Sequence, residues 1–285
     1  MEFTKMHGLG NDYIYINALN GPILQAGALA IEMSNRHFGI GADGLVLIEP
    51  STLGDYKMTM FNADGSEGEM CGNAARCIGK YVYEKKMTEK TLLSLETKSG
   101  LKEVILHLRP EDPQKVDTVT VDMGAPAFQP EKIPVNMEGD AVVDYFIQAE
   151  GKKWKMACVN MGNPHAVFFV NQPVEEVEVE HWGPYFETHE LFPQKTNVEF
   201  AQIIDRNHIK MRVWERGSGE TLACGTGAAA VLVAAAIQGL ADREAVIELQ
   251  GGNLKVKWRA QDNHVLQTGP ASFVFEGRWL GIGSM

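Results

Sequence analysis

Apolar and polar positions alternate over short runs through most of the chain. Period-two stretches and compact apolar runs predict strands at Tyr13–Asn17, Leu45–Ile48, Lys57–Phe61, Thr118–Asp122, Ala166–Val170, Ile209–Trp214, Ala245–Leu249, Leu254–Arg259 and Phe273–Phe275. Three segments read as helices: Gln25–Asn35, Cys71–Lys86 and Cys224–Gln238. The last is apolar almost all round, the pattern of a helix enclosed by protein rather than laid on a surface. A sheet-rich unit curled around a central helix fits both observations, and the expected class is α+β.

The two halves of the pattern resemble each other. Gly65 to Cys77 reads GSEGEMCGNAARC, and Gly217 to Ala230 reads GSGETLACGTGAAA. Each is a glycine-rich approach to a Cys-Gly step that opens a helix of small residues. Gly10-Asn11 and Gly162-Asn163 stand at nearly the same offset, each leading into a strand. Aligned on Cys71 and Cys224, Phe61-Asn62 faces Trp214-Glu215, Gly44-Leu45 faces Asn197-Val198, Glu67 matches Glu220 and Ala75 matches Ala228. Shared order points to an internal duplication. The Gly/Pro-rich segment DMGAPAFQPEKIP marks the crossover, giving domains 1–123 and 124–269, with a tail, 270–285, that returns to the first.

Composition narrows the class. The 285 residues, 45% hydrophobic and 22% charged, suit one large or two moderate globular domains. A formal charge of −11 argues against nucleic acid and anionic membrane as partners. The start, MEFTKMHGLGNDYIYI, lacks the basic and apolar regions of a signal peptide. Ala223–Leu240 is too short and weakly apolar for a membrane span, so a cytoplasmic location is expected. Cys71, Cys77, Cys158 and Cys224 form no disulfide framework, and no CxxC pair or nearby His supplies a zinc pattern. Each is therefore buried filler or chemistry.

Gly39 to Gly44 matches GxGxxG, but a strand follows it instead of a helix, which excludes a dinucleotide site. Cys77 lies six residues beyond Cys71, about 240° around a helix, and so faces elsewhere. It reads as a structural thiol, as does Cys158 in MACV. Cys71 and Cys224 sit where a glycine-rich loop becomes a helix. There the free N–H groups and the dipole favour both a thiolate and a bound carboxylate. A Cys-His acyl-transfer enzyme needs one such thiol, with His165 of GNPH as a base. Two thiols in matched settings suit a different chemistry, in which one removes a proton from a carbon while the other returns one to the opposite face. No metal or other cofactor is needed for that.

In order and across nearly the whole chain, MHGLGNDYIYI, FNADGSEGEMCGNAARC, MGNPHAV, TNVEF and WERGSGETLACGTGAAA resemble the diaminopimelate epimerase family. The resemblance implies two similar domains, each a curled, mainly antiparallel sheet around a central helix, with the site in the cleft between them. It implies interconversion of LL- and meso-diaminopimelate, in lysine and cell-wall precursor synthesis, by a homodimer. Cys71 and Cys224 become the acid/base pair, with His165 and Glu215 tuning them. Gly72, Asn73, Gly225 and Thr226 present N–H groups to the reacting carboxylate. Asn11, Asn62, Asn163, Asn197, Glu215 and Arg216 hold the amino groups and the distal carboxylate.

One position departs from the family pattern: many members carry a substrate-contacting Gln where this chain has Gly44. Proline racemase shares the two-cysteine architecture but not ERGSGETLACG. Other readings are a sister racemase acting on another amino acid such as histidine, and a binding protein or thiol hydrolase on the same scaffold.

Overall fold

The computed structural model describes residues 1–281, which divide into two compact units. The first comprises Met1–Val121 and the described residues from Gly269 onward; the second comprises Asp122–Thr268. Of the expected returning tail, residues 282–285 lie outside the described residues.

The first unit contains β1 (Glu2–Gly8), β2 (Asn11–Asn17), α1 (Ala26–Ser34), β3 (Gly44–Glu49), β4 (Tyr56–Asn62), β5 (Glu67–Gly68), α2 (Gly72–Glu84), β6 (Leu92–Thr97), β7 (Gly100–Arg109) and β8 (Asp112–Asp122). Neighbours β1–β2, β3–β4, β4–β5, β6–β7 and β7–β8 are antiparallel. Two pairs, β2–β3 and β4–β6, are parallel, and each is bridged by a helix, α1 and α2 respectively. A parallel neighbour demands such a crossover, since a tight hairpin only reverses the chain.

The second unit repeats this plan. It contains β9 (Tyr145–Ala149), β10 (Lys152–Asn160), β11 (Pro164–Phe169), α3 (Val179–Glu187), β12 (Asn197–Asp205), β13 (His208–Glu215), β14 (Gly219–Thr221), α4 (Gly225–Ile237), β15 (Glu244–Leu249), β16 (Gly252–Trp258) and β17 (Val265–Gly269). Its parallel pairs are β11–β12, bridged by α3, and β13–β15, bridged by α4. The last strand, β18 (Ser272–Arg278), pairs antiparallel with β1 in the first unit, as β9 pairs with β10 in the second. The duplication holds at the level of register. Phe61 faces Glu67 as Trp214 faces Glu220, and Thr97 faces Gly100 as Leu249 faces Gly252. The class is α+β, with one plan repeated in two units.

Burial explains the strand patterns. Alternating strands such as β4 and β16 turn one face inward, whereas β2, β3 and β11 are buried on both faces. In the second unit α4 packs against β10, β11, β12, β13, β15 and β16, which together wrap it. Phe168, Phe186, Phe200, Trp154 and Trp182 form a separate aromatic cluster with ring centroids 4.3 to 6.0 Å apart for the Phe168–Phe186, Trp154–Trp182 and Trp154–Phe168 pairs. The apolar character of Cys224–Gln238 therefore reflects enclosure.

Helix α2 is enclosed as well, although its sequence carries charges. Arg76, 0% exposed, donates from Nη2 to Asn73 Oδ1 at 2.7 Å and from Nε to the Pro270 carbonyl at 3.2 Å. Lys80 donates to the Val116 carbonyl at 2.6 Å and pairs with Glu84 at 2.8 Å. Buried cations are tolerable only with partners of this kind. The sequence pattern missed α3, because Gly183 and Pro184 stand inside it. Gly183 is there for space: a Cβ on it would lie 2.5 Å from Trp214 Cγ. Among the described residues no helix is long and apolar enough to cross a membrane.

Candidate active site

In the first unit the candidate residues meet at the N-terminus of α2. Cys71 is the N-cap, extended at φ −135 and ψ 117, with its carbonyl accepting from Ala75 N at 2.9 Å. Its Sγ donates to Asn11 Oδ1 at 3.4 Å, and Asn73 Nδ2 donates to the same oxygen at 3.1 Å. Asn11 opens β2 and is held from behind, its Nδ2 donating to Asp43 Oδ2 at 2.8 Å. Asp43 also accepts from Asp12 N at 3.0 Å and from Arg36 Nη2 at 2.9 Å. Burial raises the Asp43 carboxyl above its usual range. Burial pushes Asp12 the same way, but hydrogen bonds from Arg36 and Lys5 win and hold it below. Asn62, at the end of β4, stands outside this network, its Nδ2 donating to Ser66 Oγ at 3.0 Å.

The second unit builds the matching site at α4. Cys224 is the N-cap, at φ −113 and ψ 113, with its carbonyl accepting from Ala228 N at 3.0 Å. Its Sγ lies 3.5 Å from Thr226 Oγ1. Buried Gln267 donates to the Gly225 carbonyl at 2.7 Å, and a Cβ on Gly225 would stand 2.8 Å from Gln267 Oε1. Glu215, at the end of β13, accepts from the Thr221 hydroxyl. Burial raises its carboxyl, with Thr221 and the Cys224 thiol acting the other way.

His165 lies on β11, wholly buried, between two oxygens. Its Nε2 is 2.9 Å from Asn163 Oδ1 and its Nδ1 is 2.6 Å from Glu199 Oε1. Asn197 opens β12 with both ends of its amide engaged: Nδ2 donates to the Pro164 carbonyl at 2.7 Å, and Oδ1 accepts from Arg216 N at 2.9 Å. Asn197 thereby sets the loop that carries Arg216, whose exposed guanidinium donates to the Gln194 carbonyl at 3.2 Å.

The thiols differ in environment. Cys224 is held well above the usual thiol range, first by burial and then by the negative charge of Glu215. The helix terminus favours a thiolate there, but these effects outweigh it. Burial likewise pushes Cys77 up to about 11 and raises Cys158. Both lie in the core, at 0% and 1% exposure. Asp43, Arg36, Glu199 and Gln267 escaped the sequence reading. Only Glu199 left a signal, an acid set among apolar neighbours in NVEFA.

Gly44 has a steric reason. A Cβ there would collide with the Phe61 carbonyl oxygen and approach Tyr13 Cε1 to 2.9 Å. The backbone of this chain excludes any side chain at that position.

A cysteine thus stands at the N-cap of the central helix in each of the two repeated units. Among solved structures, a hydroxyproline epimerase of Agrobacterium vitis matches with a TM-score of 0.69 at 17% identity, covering 97% of this chain and 91% of that one. That likeness establishes the fold. The family described as Diaminopimelate epimerase matches residues 3–129 and 157–274. Two curated relatives carry that same description. One, from Methanococcus maripaludis (strain C6), is 54% identical over 277 residues, covering 97% of this chain and 99% of its own. The other, from Acetivibrio thermocellus, is 53% identical over 277 residues, covering 97% and 98%. The chain belongs to the diaminopimelate epimerase family.

Proposed function

We propose that the protein is an isomerase that interconverts LL- and meso-diaminopimelate without a cofactor, using Cys71 and Cys224 as acid and base. One thiolate removes the α-proton, leaving a carbanion beside the carboxylate. The other thiol delivers its proton to the opposite face and becomes the thiolate, so the two exchange roles with direction. The observation that carries this reading is the pair of cysteines at equivalent helix N-caps, Cys71 on α2 and Cys224 on α4.

Gly72, Asn73, Gly225 and Thr226 supply the first-turn N–H groups, which hold the reacting carboxylate and stabilise the charge that develops on it. Arg216 suits the distal carboxylate, with Asn197 fixing its loop. Asn11, Asn62, Asn163 and Glu215 complete the contacts to amino and carboxylate groups. His165 and Glu215 are the residues assigned to tune the thiols, and the charge of Glu215 acts directly on Cys224. The reading extends to a cytoplasmic homodimer in lysine and cell-wall precursor synthesis, with no nucleic-acid or membrane partner, consistent with a charge of −11.

Its test is conversion of LL-diaminopimelate by reduced, dialysed protein, followed by chiral chromatography with histidine and proline in parallel. Meso product, undiminished by a chelator or a carbonyl reagent, supports the proposal. Turnover of histidine or proline with diaminopimelate inert moves the assignment to a sister racemase.

A further inference from the structure

Glu199 has no role in this scheme, yet it is 0% exposed on β12 and lies against the residues that do. Its Oε1 is 2.6 Å from His165 Nδ1, while its Oε2 is buried with no hydrogen-bond partner among the described residues. An ionised carboxylate with a bare, buried oxygen is costly, whereas a neutral acid needs only its O–H satisfied. Burial pushes the Glu199 carboxyl above its usual range, in agreement, with His165 pulling the other way. The Glu199 O–H therefore donates to Nδ1. Across the ring, Nε2 faces Asn163 Oδ1 at 2.9 Å. An amide oxygen only accepts, so Nε2 carries the ring hydrogen. A single arrangement results, running Glu199 O–H to Nδ1 and Nε2–H to Asn163 Oδ1.

That arrangement decides which end of Asn163 meets a ligand. Its oxygen is turned to His165, and its NH2 has no acceptor among the described residues. An NH2 group holds a carboxylate; the oxygen, if turned outward, would hold an ammonium. We infer that Glu199 is a positioning residue which, through His165, fixes Asn163 as a hydrogen-bond donor to a substrate carboxylate. Space reinforces the arrangement, because Oε1 lies 2.8 Å from where a Cβ on Gly227 would stand. The choice of substrate rests on the epimerase reading, but the proton arrangement does not.

The test pairs 15N-histidine NMR of the full chain at pH 7 with steady-state kinetics on diaminopimelate, for wild type, Glu199→Gln and Glu199→Leu. The expected wild-type spectrum shows His165 neutral with its hydrogen on Nε2. Glu199→Gln keeps that tautomer, since a Gln N–H also donates to Nδ1, and kcat/KM stays within about threefold. Glu199→Leu leaves Nδ1 unpaired and mixes the tautomers. KM then rises about 10- to 100-fold, with a smaller fall in kcat. A wild-type His165 with its hydrogen on Nδ1 overturns the inference, as does an unchanged KM in folded Glu199→Leu. If Glu199→Leu does not fold, the wild-type and Glu199→Gln spectra still decide. The expected tautomer in a protein inert towards diaminopimelate supports the relay and rejects the epimerase reading instead.

Discussion

Replacing Gly227 by alanine is expected to destabilise the protein although alanine is the better helix former. Gly227 lies in the first turn of α4, where a Cβ would stand 2.8 Å from Glu199 Oε1 and 3.3 Å from Cys224 Sγ. A loose carboxylate would turn aside at little cost. This one is wholly buried and bonded at 2.6 Å to His165 Nδ1, so relieving the clash stretches or breaks that bond. Gly to Ala in a helix interior gains about 0.5–1 kcal/mol, and less in a first turn. Leaving a buried polar group unpaired costs about 1–3 kcal/mol, and overpacking costs a similar amount. The cost wins, by about 1–3 kcal/mol net. At about 2–4 °C per kcal/mol for large domains, the melting temperature should fall by roughly 2–12 °C in differential scanning calorimetry. Activity should fall with it, since the displaced Glu199 carboxyl is the one that fixes His165. A Gly227→Ala protein that melts at or above the wild-type temperature would refute the reasoning, because helix propensity would then have outweighed the contact.

Cys71→Ala and Cys224→Ala should each abolish epimerisation in a coupled assay, while Cys77→Ala and Cys158→Ala, both core thiols, should keep most of it; full activity in Cys224→Ala rejects the two-thiol scheme. In a Cys71→Ala background, iodoacetamide should label Cys224 more slowly than a free thiol at neutral pH and faster as the pH rises, and Glu215→Gln should speed the labelling by removing a charge that opposes ionisation. Stability responds as well: the folded state holds the Cys224 proton more tightly than the unfolded chain, so this stabilisation is full below the unfolded pKa and is lost as the pH climbs toward the folded one. Rapid labelling of Cys224 at neutral pH contradicts that environment. Gly44→Gln should lower the melting temperature and raise KM, because a Cβ there collides with the Phe61 backbone and disturbs the end of β4 that carries Asn62; a stable variant with tighter substrate binding would show that the backbone yields.

Local pattern made much of the fold legible. Alternation located β4, β13 and β16, and the run of small apolar residues identified α4 as an enclosed helix. The repeat was visible because glycines and cysteines keep their order, and the strand registers carry it further than the residue identities. Helix α3 was hidden because Gly183 and Pro184 read as a break, while tertiary packing under Trp214 and the aromatic cluster holds the helix together. Burial of Arg76 and Lys80 was also invisible, since it depends on acceptors such as the Pro270 and Val116 carbonyls far along the chain. At the site, the glycine-rich turns announced Cys71 and Cys224. Their supports did not show: strand pairing brings Asp43 behind Asn11 and Glu199 behind His165, within hydrogen-bond reach, from far along the chain.

The central claim, proton exchange at one carbon by two thiols, is tested most directly in D2O. Reduced, cofactor-free protein is mixed with LL-diaminopimelate, and the α-proton resonance is followed by NMR while meso product is collected and analysed by mass. The two-thiol account predicts that one deuterium enters the inverted α-position of each product molecule during its first conversion. Meso product that retains its original α-proton, or inversion that persists in the Cys71→Ala or Cys224→Ala protein, contradicts it.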